Sequence, residues 1–473
     1  DLHYPLRRQR QMCIRDRQSG LWGVGIQVLL NMLVLFLYFG SLLAQTRTGA
    51  ALIAVAQAVL GSARGGPAKV AVLASALFGT VSGSAIANIA TTGSITIPMM
   101  KRIGYKPEVA AAVESCASNG GQIMPPIMGA SAFLIAVYLG IPYRNLVVYC
   151  FPPALLYFLS VYLIVHFKAV RAGLIGMPRE TKPSLRRVIL EGGHLSIPII
   201  AFTVLLLLGY SETRVGLWGV LLVLLIAFFK KETRPSPLDF LKMIDRTVRG
   251  NAGIAVSCVL IGLLIGTINI SGLGIKMSNL VLQLSMGNLW VALFLSAIFA
   301  IILGMGMPTL LVYATLYIFI IPALVTMGAN PLASHLFAFY FGIVSGITPP
   351  VCLVAFTGAA IAGSPPMRTG WVATKMGIAS YILPFLFILF PNLMIKDSPD
   401  ALSAITAFAA CAVVVLFAAA AVEGFLFKTM NLVERLLSFA GIIIFISPLP
   451  GVAPKVIGLA LTALVIILQV VIR

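Results

Sequence analysis

Acidic side chains are scarce in this chain. Among 473 residues there are 14 Asp and Glu against 33 Lys and Arg, and charged residues of both signs make up only 10%. A soluble domain of this length needs a charged surface, so the shortage excludes one. Histidine is rarer still: the four (His3, His166, His194 and His335) are scattered and form no ligand pair. The six cysteines, at 13, 116, 150, 258, 352 and 411, lack metal-ligand spacing and read as small buried hydrophobes. No P-loop is present, so ATP is not a visible energy source. The apolar stretches hold no Ser/Lys, His/Glu or paired-Asp constellation, which argues against a membrane-embedded enzyme. They also lack a continuous polar lining or charged ring, which argues against a channel; a membrane scaffold subunit stays a further alternative.

What remains is apolar. Hydrophobic residues make up 60% of the chain, and the mean hydropathy is +1.03. Runs of about 20 apolar residues recur, the length that spans ~30 Å of hydrocarbon. The composition gives an all-α polytopic membrane protein in a lipid bilayer; a β-barrel would show short alternating segments. The net charge of +19 could suggest nucleic acid. Its distribution points elsewhere, because Lys and Arg cluster in the loops between spans, as cytoplasmic loops require. Nucleic acid is excluded as a partner.

Residues 1–19, including "MCIRDR", read as a foreign or artefactual segment, and the native protein is expected to extend further upstream. The first half is taken as 20–249 and the second as 250–473. A span at 21–45 leads to an interfacial helix at 46–62. Residues 69–101 are apolar, carry Lys at both ends and are interrupted at 82–94, which predicts a re-entrant hairpin. Residues 108–139 exceed one crossing, and "SNGGQIMPP" at 118–126 predicts a break in that helix. Spans follow at 146–167, 195–209 and 215–229, with basic loops after the first and third. The second half predicts a span at 250–271, an interfacial helix at 272–289, a hairpin at 290–322 with tip "GMGMPT", and a helix at 332–362 broken at "SGITPP". Spans at 373–395, 402–422, 438–448 and 453–472 complete the chain.

The halves are related. Shifting residues 97–142 by 224 lays them on 321–366 without a gap, matching Pro98 to Pro322, Gly104 to Gly328, Pro107 to Pro331, Pro125 and Pro126 to Pro349 and Pro350, and Pro142 to Pro366. The loop after the first hairpin is basic ("KRIGYKPE") and its counterpart is uncharged ("VTMGANPL"). The same loop then lies on opposite sides of the membrane in the two copies, the mark of inverted repeats in secondary transporters.

An exposed backbone amide costs several kcal/mol in hydrocarbon, so broken helices persist only where protein, water or a ligand satisfies them. The two tips and two breaks offer carbonyls for cations and helix N-termini for anions. Candidate side chains are Ser82, Ser84, Asn88, Ser118, Asn119, Thr309, Ser345 and Thr348, with Gly83, Gly121, Gly304, Gly306 and Gly346 allowing close backbone approach. Oxygen donors without carboxylates suit Na⁺ better than a divalent metal. Small residues also pack membrane helices, as in "GTVSG", but packing alone does not explain paired Pro in register. Glu114 lies on an apolar span four residues before the first break. Two readings stand: a proton carrier or cation partner, or a structural carboxylate at a helix end near the cytoplasmic surface. Arg144 reads as a periplasmic surface residue.

The stretches "GGPAKVAVLASALFGTVSGSAIANIATTGSITIPMMKRIGY" and "ASNGGQIMPPIMGASAFL" resemble the large membrane subunit of TRAP transporters, the tripartite ATP-independent periplasmic family, and within it the TAXI-associated branch. The likeness covers about 21–473. It implies an elevator-type, inner-membrane symport permease that takes small organic acids from a periplasmic substrate-binding protein and is driven by a Na⁺ gradient, with no other cofactor. It also implies a small four-helix membrane subunit, separate or fused upstream, whose absence here suggests N-terminal truncation. On the matching motifs, the resemblance places binding at Ser82, Ser84 and Asn88, at Ser118 to Met124, at Gly304 to Thr309 and at Ser345 to Thr348. An H⁺-coupled version using Glu114 and a binding-protein-independent carboxylate transporter remain alternatives.

Overall fold

A computed structural model describes residues 20–178, 182–229, 236–395, 398–447 and 453–470. The segment 1–19 and the polar stretch 230–235 lie outside the described residues. The chain is an all-α polytopic membrane protein. Helix α1 (Val24–Gln45) leads to a short arm, α2 (Thr48–Leu60). A hairpin follows, α3 (Gly66–Ser82) and α4 (Ala85–Arg102), then α5 (Pro107–Gly120), a break, and α6 (Ala130–Leu139). Helix α7 (Tyr143–Arg171) closes the first set. Helices α8 (Leu185–Leu207) and α9 (Glu212–Phe229) connect to the second.

The second set has the same order. It comprises α10 (Pro237–Ser271), the arm α11 (Leu273–Leu284), and a hairpin of α12 (Leu289–Leu303), α13 (Thr309–Phe319) and α14 (Ile321–Thr326). The broken pair α15 (Pro331–Val344) and α16 (Leu353–Ala362) follows, then α17 (Pro366–Met376) and α18 (Ile378–Leu389). Helices α19 (Ala401–Glu423), α20 (Leu432–Ile446) and α21 (Ala453–Val470) end the chain. Five of these helices are long and apolar enough to cross a bilayer, and α17 with α18 makes a sixth, bent by 42°.

Local chemistry explains the repeated boundaries. Pro107 and Pro331 open α5 and α15, where a missing N–H costs nothing. Gly140 and Gly363 end α6 and α16 in the left-handed region at φ 64° and 66°. The diprolines stop the helices because each ring removes a donor and clashes with the preceding turn. Helices α5 and α15 coincide under the 224 offset at both ends, as do the start of α4 and that of α13. The register then slips. The first break runs over residues 121–129 and the second over 345–352, so the flanking helices after it are offset by 223. The ungapped match of Pro142 to Pro366 is therefore one residue out: Pro142 precedes α7 as its N-cap, and its structural counterpart is Pro365.

The two modules run in opposite directions. The Lys101 ammonium donates to the Ala362 carbonyl at 2.9 Å, and Arg368 pairs with Glu108 at 3.1 Å. The base of the first hairpin thus shares one end of the molecule with the finish of α16. From that end α5–α6 lead away, whereas α15–α16 lead toward it. Helices α5 and α15 form the centre: every residue from Ala110 to Gly121 and from Leu332 to Ser345 is buried.

Several expected boundaries move. The span at 373–395 is two helices, beginning at Pro366 and bent at Gly377. Helix α10 begins at Pro237 within the stretch read as a loop. Leu241, Ile244 and Val248 recur there at helical spacing, and Asp245 accepts from Arg249 at 2.8 Å. The basic loop after α7 likewise contains the first turns of α8, opened by the Ser184 side chain accepting from the Arg187 N–H. Helix α20 starts at Leu432 because Asn431 and Glu434 form a capping box.

Candidate functional site

The first hairpin turns over two residues. Gly83 takes φ 58°, and the Ser84 hydroxyl accepts from the Ala87 N–H at 3.3 Å to start α4. Ser82 and Ser84 are partly exposed. They face a cavity of about 150 Å³ lined also by Phe36, Ser41, Met128 and Asn251. That volume suits a small organic guest. Gly83 lies against the Met128 carbonyl, with no room for a side chain.

The first break is close behind. A Cβ on Gly79 would come within 2.5 Å of the Gly121 Cα, so hairpin and break touch backbone to backbone. Within the break, Gly129 N–H donates to the Gln122 carbonyl at 2.7 Å, and the Tyr143 hydroxyl donates to the carbonyls of Ile127 and Pro126. Met124 is half-buried against the core. Asn119, fully buried, donates from its amide nitrogen to the Ile343 carbonyl at 2.9 Å.

That bond leads to the second break. Gly346 faces the Asn119 side chain, which a Cβ would approach to 3.3 Å. The Thr348 hydroxyl donates to the Val344 carbonyl at 2.7 Å and lies 2.6 Å from the Tyr381 hydroxyl. The Thr374 hydroxyl is 3.1 Å from the Ile347 carbonyl. Ser345 donates to Gly342 at 2.7 Å and abuts Gly304, which leaves no space for a Cβ. Gly304 opens the second tip, Gly306 turns it at φ 84°, and Thr309 begins the returning helix. The two tips and two breaks are thus linked in one run of contacts: first tip, first break, second break, second tip.

Glu114, Asn88 and Ser118 sit deeper. Asn88 donates to the Ser75 carbonyl at 2.9 Å. Glu114 is wholly buried in protein, midway along α5 and not at a helix end. Its Oε1 accepts from Ser75 at 2.7 Å, from Ser118 at 3.1 Å and from Thr92, and its Oε2 from Thr96 at 2.5 Å. Ser118 is therefore turned toward Glu114 and away from the break. Ser75, Thr92 and Thr96 were not singled out from the sequence. The signal was there for two of them: Asn88, Thr92 and Thr96 recur every four residues, one face of a helix. Arg144 lies elsewhere, in a surface cleft with Gly209, Tyr210 and Glu212. Among the described residues no cluster of His, Cys, Asp and Glu could hold a metal ion.

Residues 9–402 match the family described as tripartite ATP-independent periplasmic transporter, DctM component. Individual relatives agree. The C4-dicarboxylate TRAP transporter large permease protein DctM of Pseudomonas aeruginosa is 30% identical over 191 residues, 40% of this chain and 39% of that protein. The protein y4mL of Sinorhizobium fredii is 31% identical over 173 residues, 37% of this chain and 40% of its own. The protein YgiK of Salmonella typhimurium is 23% identical over 353 residues, 72% of this chain and 78% of its own. The chain thus spans about two fifths of the first two relatives and more than three quarters of the third. The hairpins and broken helices lie within the matched residues, whereas α20 and α21 lie beyond them. The chain belongs to the DctM component family of tripartite ATP-independent periplasmic transporters, which are transporters and not enzymes.

Proposed function

We propose that this chain is the permease of a secondary active importer in a bacterial or archaeal inner membrane. It receives a small organic anion, such as a dicarboxylate or oxoacid, from a periplasmic binding protein and is driven by a Na⁺ gradient. A small four-helix membrane subunit of the TAXI-associated kind completes it. The hairpins and broken helices move together as an elevator. The observation that supports this best is the run of contacts that links first tip, first break, second break and second tip, with the bond from Asn119 to the Ile343 carbonyl in its middle.

Opposite needs are met there. The break carbonyls and the hydroxyls of Ser82, Ser84, Thr309 and Thr348 supply hard oxygen donors for a coupling cation. The N-terminal ends of α4, α6, α13 and α16 supply partial positive charge for a carboxylate. Met124, Gly121, Gly304, Gly306, Ser345 and Gly346 shape the walls. Asn119 holds the two breaks at a fixed distance, and Asn88 backs the first tip.

The test is uptake by proteoliposomes. The chain is reconstituted with a four-helix subunit of its family, and labelled organic acid is supplied on a periplasmic binding protein of the same system. Accumulation is expected only with both an inward Na⁺ gradient and the binding protein. Equal accumulation without Na⁺ would remove the cation from the reading. Equal accumulation without the binding protein would assign a stand-alone carboxylate transporter.

A further inference from the structure

The Glu114 shell is not something the fold needs. The second module builds the same hairpin against the same broken helix with apolar residues at the equivalent positions, its own polar contact there being the Tyr313 hydroxyl to His335 at 2.6 Å. Under the offset, Thr92 becomes Leu316, Thr96 becomes Ile320, Glu114 becomes Ala338 and Ser118 becomes Gly342. A carboxylate buried in one copy, at real desolvation cost, and absent from the other is there for something besides packing.

Its partners are all hydroxyls. Among the described residues no cation pairs with it. The charged and titratable groups on the helices packed around it face elsewhere. Lys69 on α3 meets His166 at 3.0 Å on α7, and Lys101 at the end of α4 donates to Ala362. Arg102, beside it, is exposed. On α5 itself Glu108 pairs with Arg368 of the neighbouring α17, whose Lys375 is exposed, and the Cys116 thiol donates to the Ala373 carbonyl. From α7, the Tyr157 hydroxyl donates to the Cys116 carbonyl. The adjoining α2 and α16 carry no titratable side chain.

A hydroxyl shell can serve either protonation state without moving a heavy atom. When Glu114 is ionised, Ser75, Thr92 and Ser118 donate to Oε1 and Thr96 donates to Oε2. When Oε2 carries a proton, it donates to the Thr96 hydroxyl. That hydroxyl then turns to the Thr92 carbonyl, 3.0 Å away, and the Thr92 hydroxyl to the Asn88 carbonyl at 2.8 Å. Both states are satisfied because Ser and Thr both donate and accept. A lysine or arginine in the shell would hold only the ionised form. The direct oxygen-to-oxygen contacts leave no space for a metal ion, which would stand between its ligands.

We propose that Glu114 is a reversible proton site that loads and unloads during transport, so that a pH gradient contributes to the driving force. The loading half rests on geometry alone; the transport half rests on the importer reading above. The experiment therefore has two arms. Infrared difference spectra of the full chain in lipid nanodiscs, without substrate or binding protein, are recorded across the pH range in which it stays folded. A protonated-carboxyl band that vanishes on alkalinisation is expected in the wild type and absent in Glu114→Gln. Thr96→Val, which keeps the carboxyl and removes one donor, should displace the midpoint of that band. A band that never titrates, one that survives in Glu114→Gln, or one that Na⁺ alone removes at fixed pH overturns the proposal. In the uptake assay, an inward proton gradient should raise the initial rate of the wild type and not of Glu114→Gln; equal stimulation of both overturns it. Failure of both proteins to take up any substrate tells against the importer reading, and the infrared arm then decides the proton site alone.

Discussion

The Asn119 amide nitrogen lies 2.9 Å from the Ile343 carbonyl oxygen. The two residues are 224 positions apart, the offset that relates the modules. A residue that touches its own counterpart marks where the pseudo-twofold axis crosses the molecule. The axis passes between the ends of α5 and α15, at the point where both helices stop.

Asn119→Leu should separate the breaks. It removes the side-chain donor from the buried Ile343 carbonyl, which keeps only the Ser345 N–H, a loss of about 1 kcal/mol. Thermal unfolding in detergent should show a lower midpoint for this variant than for Gln122→Leu, whose amide makes only a longer bond to Asn119 at 3.4 Å. Equal melting of the two would remove Asn119 from its central place.

The Gly79–Gly121 approach permits a sharp comparison. Gly79→Ala puts a methyl group into the Gly121 backbone and should destabilise by about 1–3 kcal/mol. Gly253→Ala has open space around it and helical backbone, so it should be neutral or slightly stabilising. Denaturation curves of both variants check the difference.

Lys168 and Glu423 tie α7 to α19 at 3.3 Å, with Glu423 buried and Lys168 about a quarter exposed. The two halves of that pair should not be equivalent. Lys168→Met strands a buried carboxylate and should cost about 1–3 kcal/mol, whereas Glu423→Gln leaves an ammonium that reaches water and should cost less. Melting temperatures at low and high salt distinguish them; equal losses would place both groups in water.

Thr348→Val removes the hydroxyl shared by Val344 and Tyr381 and keeps the side-chain shape. Under the Na⁺ reading, the Na⁺ concentration for half-maximal uptake should rise about tenfold, roughly 1.4 kcal/mol of cation binding. Thr357→Val, whose hydroxyl is exposed and donates within its own helix, should leave it unchanged.

Much of this arrangement was legible because helix breakers are unambiguous. Paired Pro, flanking Gly and a constant offset up to the diprolines located the first break within three residues and the second within two. Two things escaped. The slip after the diprolines leaves no trace in an ungapped match, because small apolar residues on either side align equally well. The hydroxyl shell was hidden since Ser75, Thr92 and Thr96 look like ordinary helix residues until α3, α4 and α5 are brought together. The long helix α10 was underestimated for a related reason: charges at 242, 245, 246 and 249 suggested a loop, but they lie on a helix whose other face is apolar.

The unequal breaks limit what an exchange of shapes between the modules can achieve. Were each half to adopt the other's conformation, the molecule would open toward its opposite end. It would not reproduce itself there, because the second break is a residue shorter and, of the two broken helices, only the first carries a buried acid. The two orientations must then differ in free energy even with equal solutions on both sides, so a resting population leans one way before any gradient is applied.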